Sequence, residues 1–255
     1  ALHTLGSLGG WAAWLFSGRY RRRFLDNAQQ AGLGWRAVMG AIGQAGRMSA
    51  ELPRLWLGRT PPLLWADDRA AAQAYAQGRG VLFLTPHMGC FEITAQALAL
   101  RFGQQHGQLT VLYRPARQAA LNEVMALARN RPGLQAVPTT LAGVRQMIKA
   151  LRAGEAVGLL PDQVPPEGMG VWAPFYGRPA YTMTLAARLV QQTGAALLLI
   201  WAERLPAGRG WVLRVSAGPA LPTTAADDEA LQVACATTVN QAMARLIDAC
   251  PGQYL

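Results

Sequence analysis

The feature that most restricts the fold is an alternation of short apolar runs with longer helical stretches after residue 63. The apolar runs have strand character and are VLFLTP (81–86), TVLYRP (110–115), LQAVP (134–138), AVGLLPD (156–162), ALLLIWAERL (196–205) and WVLRVSAGP (211–219). Helical periodicity is found near 67–78, 90–104, 117–130, 140–153, 181–193 and 227–249. Runs that are apolar on both faces predict a three-layer α/β/α fold with a mostly parallel sheet. The short link PAGRG (206–210) predicts a hairpin, which makes the sheet mixed.

The first quarter of the chain has a different pattern. Residues 1–62 are helical with glycine interruptions and end at the breaker TPP, so we predict an amino-terminal helical segment (1–62) before an α/β domain (63–255). ALHTLGSLGGWAAWLFSG has no formal charge and is followed by RYRRR, as expected where an apolar segment meets a cytoplasmic membrane face. We expect a helix that lies on the bilayer, left from a longer anchor. The alternative is an ordinary amphipathic helix packed on the core.

The charge of the chain is basic and unevenly distributed. Lys+Arg number 24 against 14 Asp+Glu, a net charge of +10. Nucleic acid, anionic lipid headgroups and an acidic carrier protein would all be attracted to such a surface. The basic residues are not interleaved with stacking aromatic residues, so we expect no nucleic-acid partner. The three cysteines, Cys90, Cys235 and Cys250, show no disulfide or metal-ligand spacing, so we expect no metal and a reducing, cytoplasmic-side location.

His87 is the strongest candidate for catalysis. It follows a predicted strand in TPHMGCFE, and ligands of open α/β sheets bind beyond the carboxyl ends of strands. On one continuous helix His87 and Glu92 would face different ways. With His87 in a turn at Gly89 and Glu92 in the first helical turn, the carboxylate can reach the imidazole and orient it. The spacing alone would arise by chance in roughly one such chain in six.

Three further residues are candidate binding groups at or near strand ends. Arg114 in TVLYRP could hold a phosphate or a carboxylate, or be a surface arginine beside a turn. Asp162 in LLPDQ could make a polar contact in the site, or be a turn or helix-cap acid. Arg178 lies in WAPFYGRPAYT (172–182), which we interpret as a loop that leads into a helix and either lines an apolar groove or packs as a connection.

The motifs of three common classes of hydrolase are absent from these 255 residues. There is no Gly-x-Ser-x-Gly elbow, no phosphate loop ending in Gly-Lys-Ser/Thr and no His-Glu-x-x-His helix. Serine, nucleotide and zinc hydrolases are therefore disfavoured.

Taken in order, these segments resemble the bacterial lipid A biosynthesis acyltransferases, the lauroyl/myristoyl transferase branch of the lysophospholipid acyltransferase superfamily. The resemblance covers nearly the whole chain. It is carried by LGSLGGWAAWLFSGRYRRR, TPHMGCFE, the YRP at 113–115, LLPDQ with WAPFYGRPA, and PGQYL at 251–255. The superfamily pair is often His-x4-Asp, whereas this chain has Glu92, as the lipid A branch does. The usual Pro-Glu-Gly-Thr motif is missing, and PDQVPPEG stands near its place.

The resemblance implies acyl transfer from an acyl-carrier-protein thioester to a hydroxyl of a lipid A precursor, at the cytoplasmic face of the bacterial inner membrane. His87 would be the general base and Glu92 its orienting carboxylate. Backbone N–H groups near Gly89 or the Arg114 guanidinium would stabilise the oxyanion. Arg114 and Arg178 would bind the phosphates of the anionic glycolipid, and Asp162 would contact the acceptor. No metal or organic cofactor is implied.

Two alternatives remain open from the sequence. A related membrane acyltransferase would act on another glycolipid, an aminolipid or a lysophospholipid. A non-catalytic protein would use the same arginines to bind anionic lipid or nucleic acid.

Overall fold

The computed structural model describes residues 2–58, 63–113 and 131–254. Over these residues the helices are α1 (Leu2–Phe16), α2 (Gly18–Gln30), α3 (Trp35–Leu57), α4 (Arg69–Ala76), α5 (Phe91–His106), α6 (Leu141–Arg152), α7 (Leu185–Thr193) and α8 (Asp228–Ala249). The strands are β1 (Leu63–Asp67), β2 (Val81–Leu84), β3 (Leu109–Tyr113), β4 (Leu134–Pro138), β5 (Ala156–Leu159), β6 (Gly170–Phe175), β7 (Arg178–Met183), β8 (Ala196–Arg204) and β9 (Trp211–Ala217). Short 3-10 turns lie at Pro206–Gly208 and Pro251–Gln253.

The main sheet has the strand order β1-β9-β8-β2-β5-β3-β4. Strands β8, β2, β5, β3 and β4 are mutually parallel. Strand β9 returns antiparallel to β8, and β1 pairs parallel with β9 at the edge. The predicted α/β class, with a mostly parallel sheet made mixed by the β8–β9 hairpin, is therefore confirmed.

Helices pack against both faces of this sheet. Because successive strand residues face opposite sides, Phe83 of β2 joins a core with α3, α4 and α5, while Leu82 joins a second core with α6, α7 and α8. All four residues of β2 are buried, which explains why its sequence VLFL is an unbroken apolar run. Strand β2 therefore lies at the centre of the molecule.

The predicted elements agree closely with the observed ones. All six predicted strands are present, and LQAVP has the predicted bounds. The acidic residues at 227–229 begin α8, where the Asp227 carboxylate accepts a hydrogen bond from the Ala230 N–H at 2.8 Å. The predicted helix at 117–130 lies outside the described residues, and strand β1 was not predicted.

The interpretation of 172–182 as a loop is wrong. Residues 170–183 form an antiparallel hairpin, β6–β7, in a separate two-stranded sheet. Its turn has positive φ at both Tyr176 (47°) and Gly177 (74°), as two-residue hairpin turns require. The prolines suggested a loop, but Pro174 pairs with Pro179 in a ribbon whose two outer edges need no N–H donor. The following helix consequently begins at Leu185 instead of 181.

The amino-terminal helices pack on one another through glycines. Side chains at Gly6, Gly10 or Gly46 would collide with the backbone of the facing helix, so α1 and α3 lie in close contact. The opposite side of α1 is apolar and open, with Leu5 66% and Phe16 90% exposed. Among the described residues, no helix is long and apolar enough to cross a membrane. Contact with a bilayer and the domain division near residue 62 both stay predictions.

Candidate active site

The parallel register of β2 and β5 brings His87 and Asp162 together. Leu84 and Leu159 are partners at the carboxyl ends of these neighbouring strands. His87 lies three residues beyond Leu84, and Asp162 lies three residues beyond Leu159. Equal offsets from paired positions place the two side chains next to each other at the edge where α/β proteins bind ligands.

Asp162 binds both the backbone N–H and the ring of His87. The His87 N–H donates to Asp162 Oδ2 at 2.8 Å, and His87 Nδ1 lies 2.7 Å from Asp162 Oδ1. An ionised carboxylate only accepts hydrogen bonds, so Nδ1 carries the proton and donates it. In the neutral imidazole Nε2 is then an acceptor. The Asp162 side chain is 3% exposed and that of His87 20%, so the carboxylate lies beneath a ring that reaches the surface.

Gln163 contacts Nε2, the outer nitrogen of the same ring. Its Nε2 amide group lies 2.9 Å from His87 Nε2, and Gln163 itself is exposed. With Nε2 as the acceptor, the amide N–H₂ is the donor. The ring of Phe91 packs edge-on against the imidazole, with centroids 4.8 Å apart. His87 is therefore fixed in plane, with its basic nitrogen turned outward towards a polar side chain.

The turn after His87 uses all of its backbone N–H groups internally. Met88 N–H donates to Pro86 O at 2.7 Å, Gly89 N–H to Gln253 O at 2.8 Å, and Cys90 N–H to Ala202 O at 3.2 Å. Gly89 has φ of 62°, and a side chain there would collide with the Ala202 carbonyl. In this conformation the N–H groups of Met88, Gly89 and Cys90 each already have an acceptor, and the expectation that N–H groups near Gly89 bind an oxyanion stays a prediction.

A buried ion pair supports this turn from below. Arg204 Nε lies 2.7 Å from Glu51 Oε1 and Arg204 Nη2 lies 2.8 Å from Glu51 Oε2, with both side chains 2% exposed. Arg204 Nη2 also donates to Gly89 O at 3.0 Å. Since Glu51 belongs to α3, the amino-terminal helices are connected to the backbone of the site.

Cys90 is not suited to be a nucleophile. It lies just before α5 and is 1% exposed. Burial raises the pKa of its thiol, and the nearby Glu51 carboxylate raises that pKa further. The thiolate form needed for attack is therefore strongly disfavoured.

The other predicted site residues are not brought to the ring nitrogens in the same way. Glu92 lies half-buried in the first turn of α5, as predicted, but the carboxylate on His87 Nδ1 is Asp162. Arg114 lies outside the described residues. Arg178 is exposed at the start of β7, beside the hairpin turn. The roles of Glu92, Arg114 and Arg178 stay predictions.

Sequence reasoning named Asp162 as a candidate but missed its contact with His87, and it missed Gln163. The contact of Asp162 with His87, and the place of Gln163 beside it, could have been found from the register, because FLTPH (83–87) and GLLPD (158–162) align when paired as neighbouring parallel strands. The contacts of Tyr254 with Met88 and of Gln253 with Gly89 had no such signal, since nothing in the sequence places residues 251–254 under this turn. Among the described residues, no group of three or more His, Cys, Asp or Glu side chains could hold a metal ion.

Comparison with known proteins identifies the family. The family of bacterial lipid A biosynthesis acyltransferases matches residues 59–255. The chain belongs to this family. Two curated relatives are the phosphatidylinositol mannoside acyltransferases of Mycobacterium tuberculosis strains CDC 1551 / Oshkosh and ATCC 25618 / H37Rv. Each is 29% identical to this chain over 177 residues, which cover 67% of the chain and 52% of the relative.

Family membership confirms the resemblance on which the sequence interpretation relied. It supports the acyltransferase class, since both the family and these relatives are named for acyl transfer. The chain spans about half the length of the curated relatives.

Proposed function

We propose that the chain transfers a fatty acyl group from a thioester of acyl carrier protein to a sugar hydroxyl of a glycolipid, with His87 as the general base. The observation that carries this proposal is the fixed orientation of the His87 imidazole. Asp162 fixes the Nδ1–H tautomer at 2.7 Å, and Nε2 points to the exposed Gln163. That geometry suits removal of a proton from an incoming hydroxyl.

The chemical steps follow from this tautomer. The acceptor hydroxyl takes the place of the Gln163 amide on His87 Nε2. Its oxygen attacks the thioester carbonyl while Nε2 accepts the proton, and the resulting imidazolium is stabilised by Asp162. The tetrahedral intermediate then collapses to the ester, the C–S bond breaks, and the imidazolium returns the proton to the thiolate. One acyl group is transferred and His87 ends in its starting state.

The oxyanion of that intermediate needs a donor outside the His87 turn. Residues 87–90 have their N–H groups engaged with Asp162, Pro86, Gln253 and Ala202. The Gln163 amide, once displaced from Nε2, and the Arg114 guanidinium are the donors we propose. A fixed donor is typically worth about 10²–10³ in kcat.

The acceptor we propose first is a lipid A precursor, in keeping with the family name. The specific observation in favour of a second acceptor is the name of the relatives, phosphatidylinositol mannoside acyltransferase. Both acceptors present sugar hydroxyls on an amphipathic lipid. In either case Arg114 and Arg178 would bind anionic groups of the lipid.

We further propose that the reaction takes place on the cytoplasmic surface of the bacterial inner membrane, with α1 lying on the bilayer. The open side of α1 exposes Leu5, Leu8, Leu15 and Phe16 by 56–90%. The arginines at 19 and 21–23 follow at once on α2, where they can bind anionic headgroups. Flotation with vesicles that contain anionic lipid tests this, and equal flotation after Leu8→Ser and Phe16→Ser would contradict it.

The decisive experiment measures acyl transfer with two donors and two acceptors. Purified protein is given acyl carrier protein or coenzyme A thioesters, with a lipid A precursor or a phosphatidylinositol mannoside. We expect transfer from the carrier protein to the lipid A precursor, and loss of transfer in His87→Ala without loss of fold. Transfer only to the mannoside would select the second acceptor. No transfer to any lipid hydroxyl by folded wild-type protein would contradict the proposal.

A further inference from the structure

We propose that a groove between α6 and α7 is the surface on which the acidic carrier protein docks when it delivers the acyl thioester. The inference rests on the proposed function, which names that protein as the acyl donor. The groove is open to solvent and has a volume of about 380 Å³. Residues of both helices line it, namely Arg145, Ile148, Lys149, Arg152 and Gln192. We call it the α6–α7 groove.

The cations of the groove share one face of α6. Arg145, Lys149 and Arg152 are spaced by four and three residues, which places them on the same side of a helix. All three are exposed, whereas Met147 and Leu151 are fully buried in the core on the other side. At about 1.5 Å per residue, the helix rises about 10 Å from the first cation to the last. The stripe is therefore long enough to face about two turns of a partner helix.

These cations have no acidic neighbours on their own helices. Neither α6 nor α7 contains Asp or Glu, and α7 adds the exposed Arg188. Over the described residues, the ion pairs of the chain all involve other groups. The nearest acid along the chain, Glu155, lies beyond the end of α6 against Gly107. A helix face that is only solvated usually alternates charges of both signs, whereas a groove lined with cations alone suits a negatively charged partner.

The place of the groove in the fold favours a protein over lipid headgroups. Helices α6 and α7 pack on the face of the sheet that Leu82 joins, while α3 packs on the face of Phe83. Helix α1 lies against α3, so the surface that we propose for the bilayer belongs to the opposite side of the sheet. A site for headgroups is expected beside α1. A soluble partner can reach the α6–α7 groove while the enzyme lies on a membrane.

Both helices of the groove run from the sheet edge that holds His87 to the opposite edge. Helix α6 begins three residues after β4 ends and itself ends just before β5, and α7 ends just before β8. Arg145 lies in the second turn of α6, about 6 Å along the helix from Leu141. A carrier protein holds its acyl group on a flexible arm. A docking surface beside the site therefore lets that arm extend over the edge to His87.

The first test uses Lys149, which is the only lysine in these 255 residues. A carbodiimide couples a carboxylate to an amine without a spacer, so it joins groups that are already in ion-pair contact. The enzyme is mixed with acyl carrier protein and treated, and the coupled residues are mapped by mass spectrometry. We expect coupling through Lys149 and its loss in Lys149→Arg, which keeps the charge but has no amine. Coupling only at the amino terminus, or none, would overturn the inference.

The second test reverses one charge of the groove. In Arg145→Glu we expect the KM for acyl carrier protein to rise about fivefold with kcat within about twofold, because the groove binds the donor and takes no part in the chemistry. Added salt should raise the wild-type KM more than that of the variant. The matched control is Arg245→Glu, an equal charge change at an exposed arginine of α8 outside the groove. An equal rise in both variants, or none in Arg145→Glu, would overturn the inference.

These outcomes distinguish failure of the docking surface from failure of the proposed function. If the enzyme uses carrier-protein thioesters and Arg145→Glu has the wild-type KM, the docking surface is wrong and the proposed function stands. If it uses only coenzyme A thioesters and is not coupled to the carrier protein, the donor and the docking surface are both wrong. Coupling through Lys149 together with a fully active His87→Ala enzyme would overturn the mechanism and leave the docking surface standing.

Discussion

Two histidine–carboxylate contacts of equal length lie in different regions of this molecule. His3 Nε2 is 2.7 Å from Glu51 Oε1 in the amino-terminal helices, and His87 Nδ1 is 2.7 Å from Asp162 Oδ1 at the sheet edge. Exposure is also alike, with histidines at 21% and 20% and acids at 2% and 3%. By distance and burial alone the two pairs could not be told apart.

They differ in which nitrogen is used and in what else binds the acid. Glu51 receives two N–H groups of Arg204, so its charge is already balanced when His3 reaches it through Nε2. Asp162 receives two hydrogen bonds from His87, one from the backbone N–H and one from the ring, and the ring contact uses Nδ1, which leaves Nε2 outward. The first arrangement stabilises a helix contact, whereas the second can take a proton from a substrate. The tautomer of His87 and its outward-facing Nε2 indicate catalysis more than the histidine–carboxylate contact itself does.

The largest expected difference between the two regions is in activity. His87→Ala should lower kcat by about 10³–10⁴-fold, since it removes the general base. His3→Ala should leave kcat within about threefold, because Glu51 keeps Arg204 as its partner. Acyl transfer assays on both variants, with circular dichroism to verify folding, make the comparison. A His3 variant that loses as much activity as the His87 variant would contradict it.

The next effect concerns stability, and here the larger loss is expected from the region of Glu51 and the amino-terminal helices. Arg204→Ala strands the buried Glu51 carboxylate and should lower the free energy of unfolding by about 3–5 kcal/mol. The control is Arg214→Ala, which breaks a pair with Glu203 between side chains 48% and 29% exposed and should cost less than about 1 kcal/mol. Urea denaturation measures both. Equal midpoints would show that burial of the Glu51–Arg204 pair has no special role.

A third effect decides between the two candidate carboxylates for His87. Asp162→Asn should lower kcat by about 10²-fold, since the amide cannot stabilise the imidazolium as a carboxylate does. Glu92→Gln should lower kcat less, because Asp162 is the acid on Nδ1. Parallel kcat measurements rank the two. A larger loss in the Glu92 variant would restore the orienting role predicted for it from sequence.

The smallest effect is alkaline destabilisation from groups buried in the core between the sheet and helices α3, α4 and α5. Burial raises the pKa of Cys90 and of Tyr75 above their ordinary values of 9.0 and 10.0. The folded state therefore holds these protons more tightly, so their contribution is complete below about pH 9 and is lost as pH rises further. We expect about 1–2 kcal/mol less stability at pH 10.5 than at pH 8. Tyr75→Phe should flatten this slope in urea titrations, and an unchanged slope would remove Tyr75 as a cause.

The interior of the sheet was predictable because its signal is local. VLFL and LQAVP are apolar runs whose length and flanks mark them as strands, and the helices between them have their own periodicity. Strand β1 was missed because LLWAD is exposed along much of its length and pairs only at the sheet edge. The β6–β7 hairpin was missed because its prolines gave a stronger local signal than its pairing.

The site was predictable in part for the same reason. His87 comes just after a predicted strand in the sequence, so its position at the ligand-binding edge of the sheet could be predicted. Its partner could not be chosen by proximity along the chain, where Glu92 is close and Asp162 is far. The contacts of Arg204 with Glu51 and of Gly89 with Gln253 join positions that only the complete fold brings together.

The pairing of β1 with β9 has a consequence for how the protein is made. Leu63 pairs with Trp211, so the strand LLWAD leaves the ribosome long before β9, the strand with which it pairs, has been made. A nascent chain of this protein therefore carries an unpaired apolar strand, which is a template for wrong association. We expect translation products that stop before β9 to aggregate and to depend on chaperones, whereas the completed chain would not.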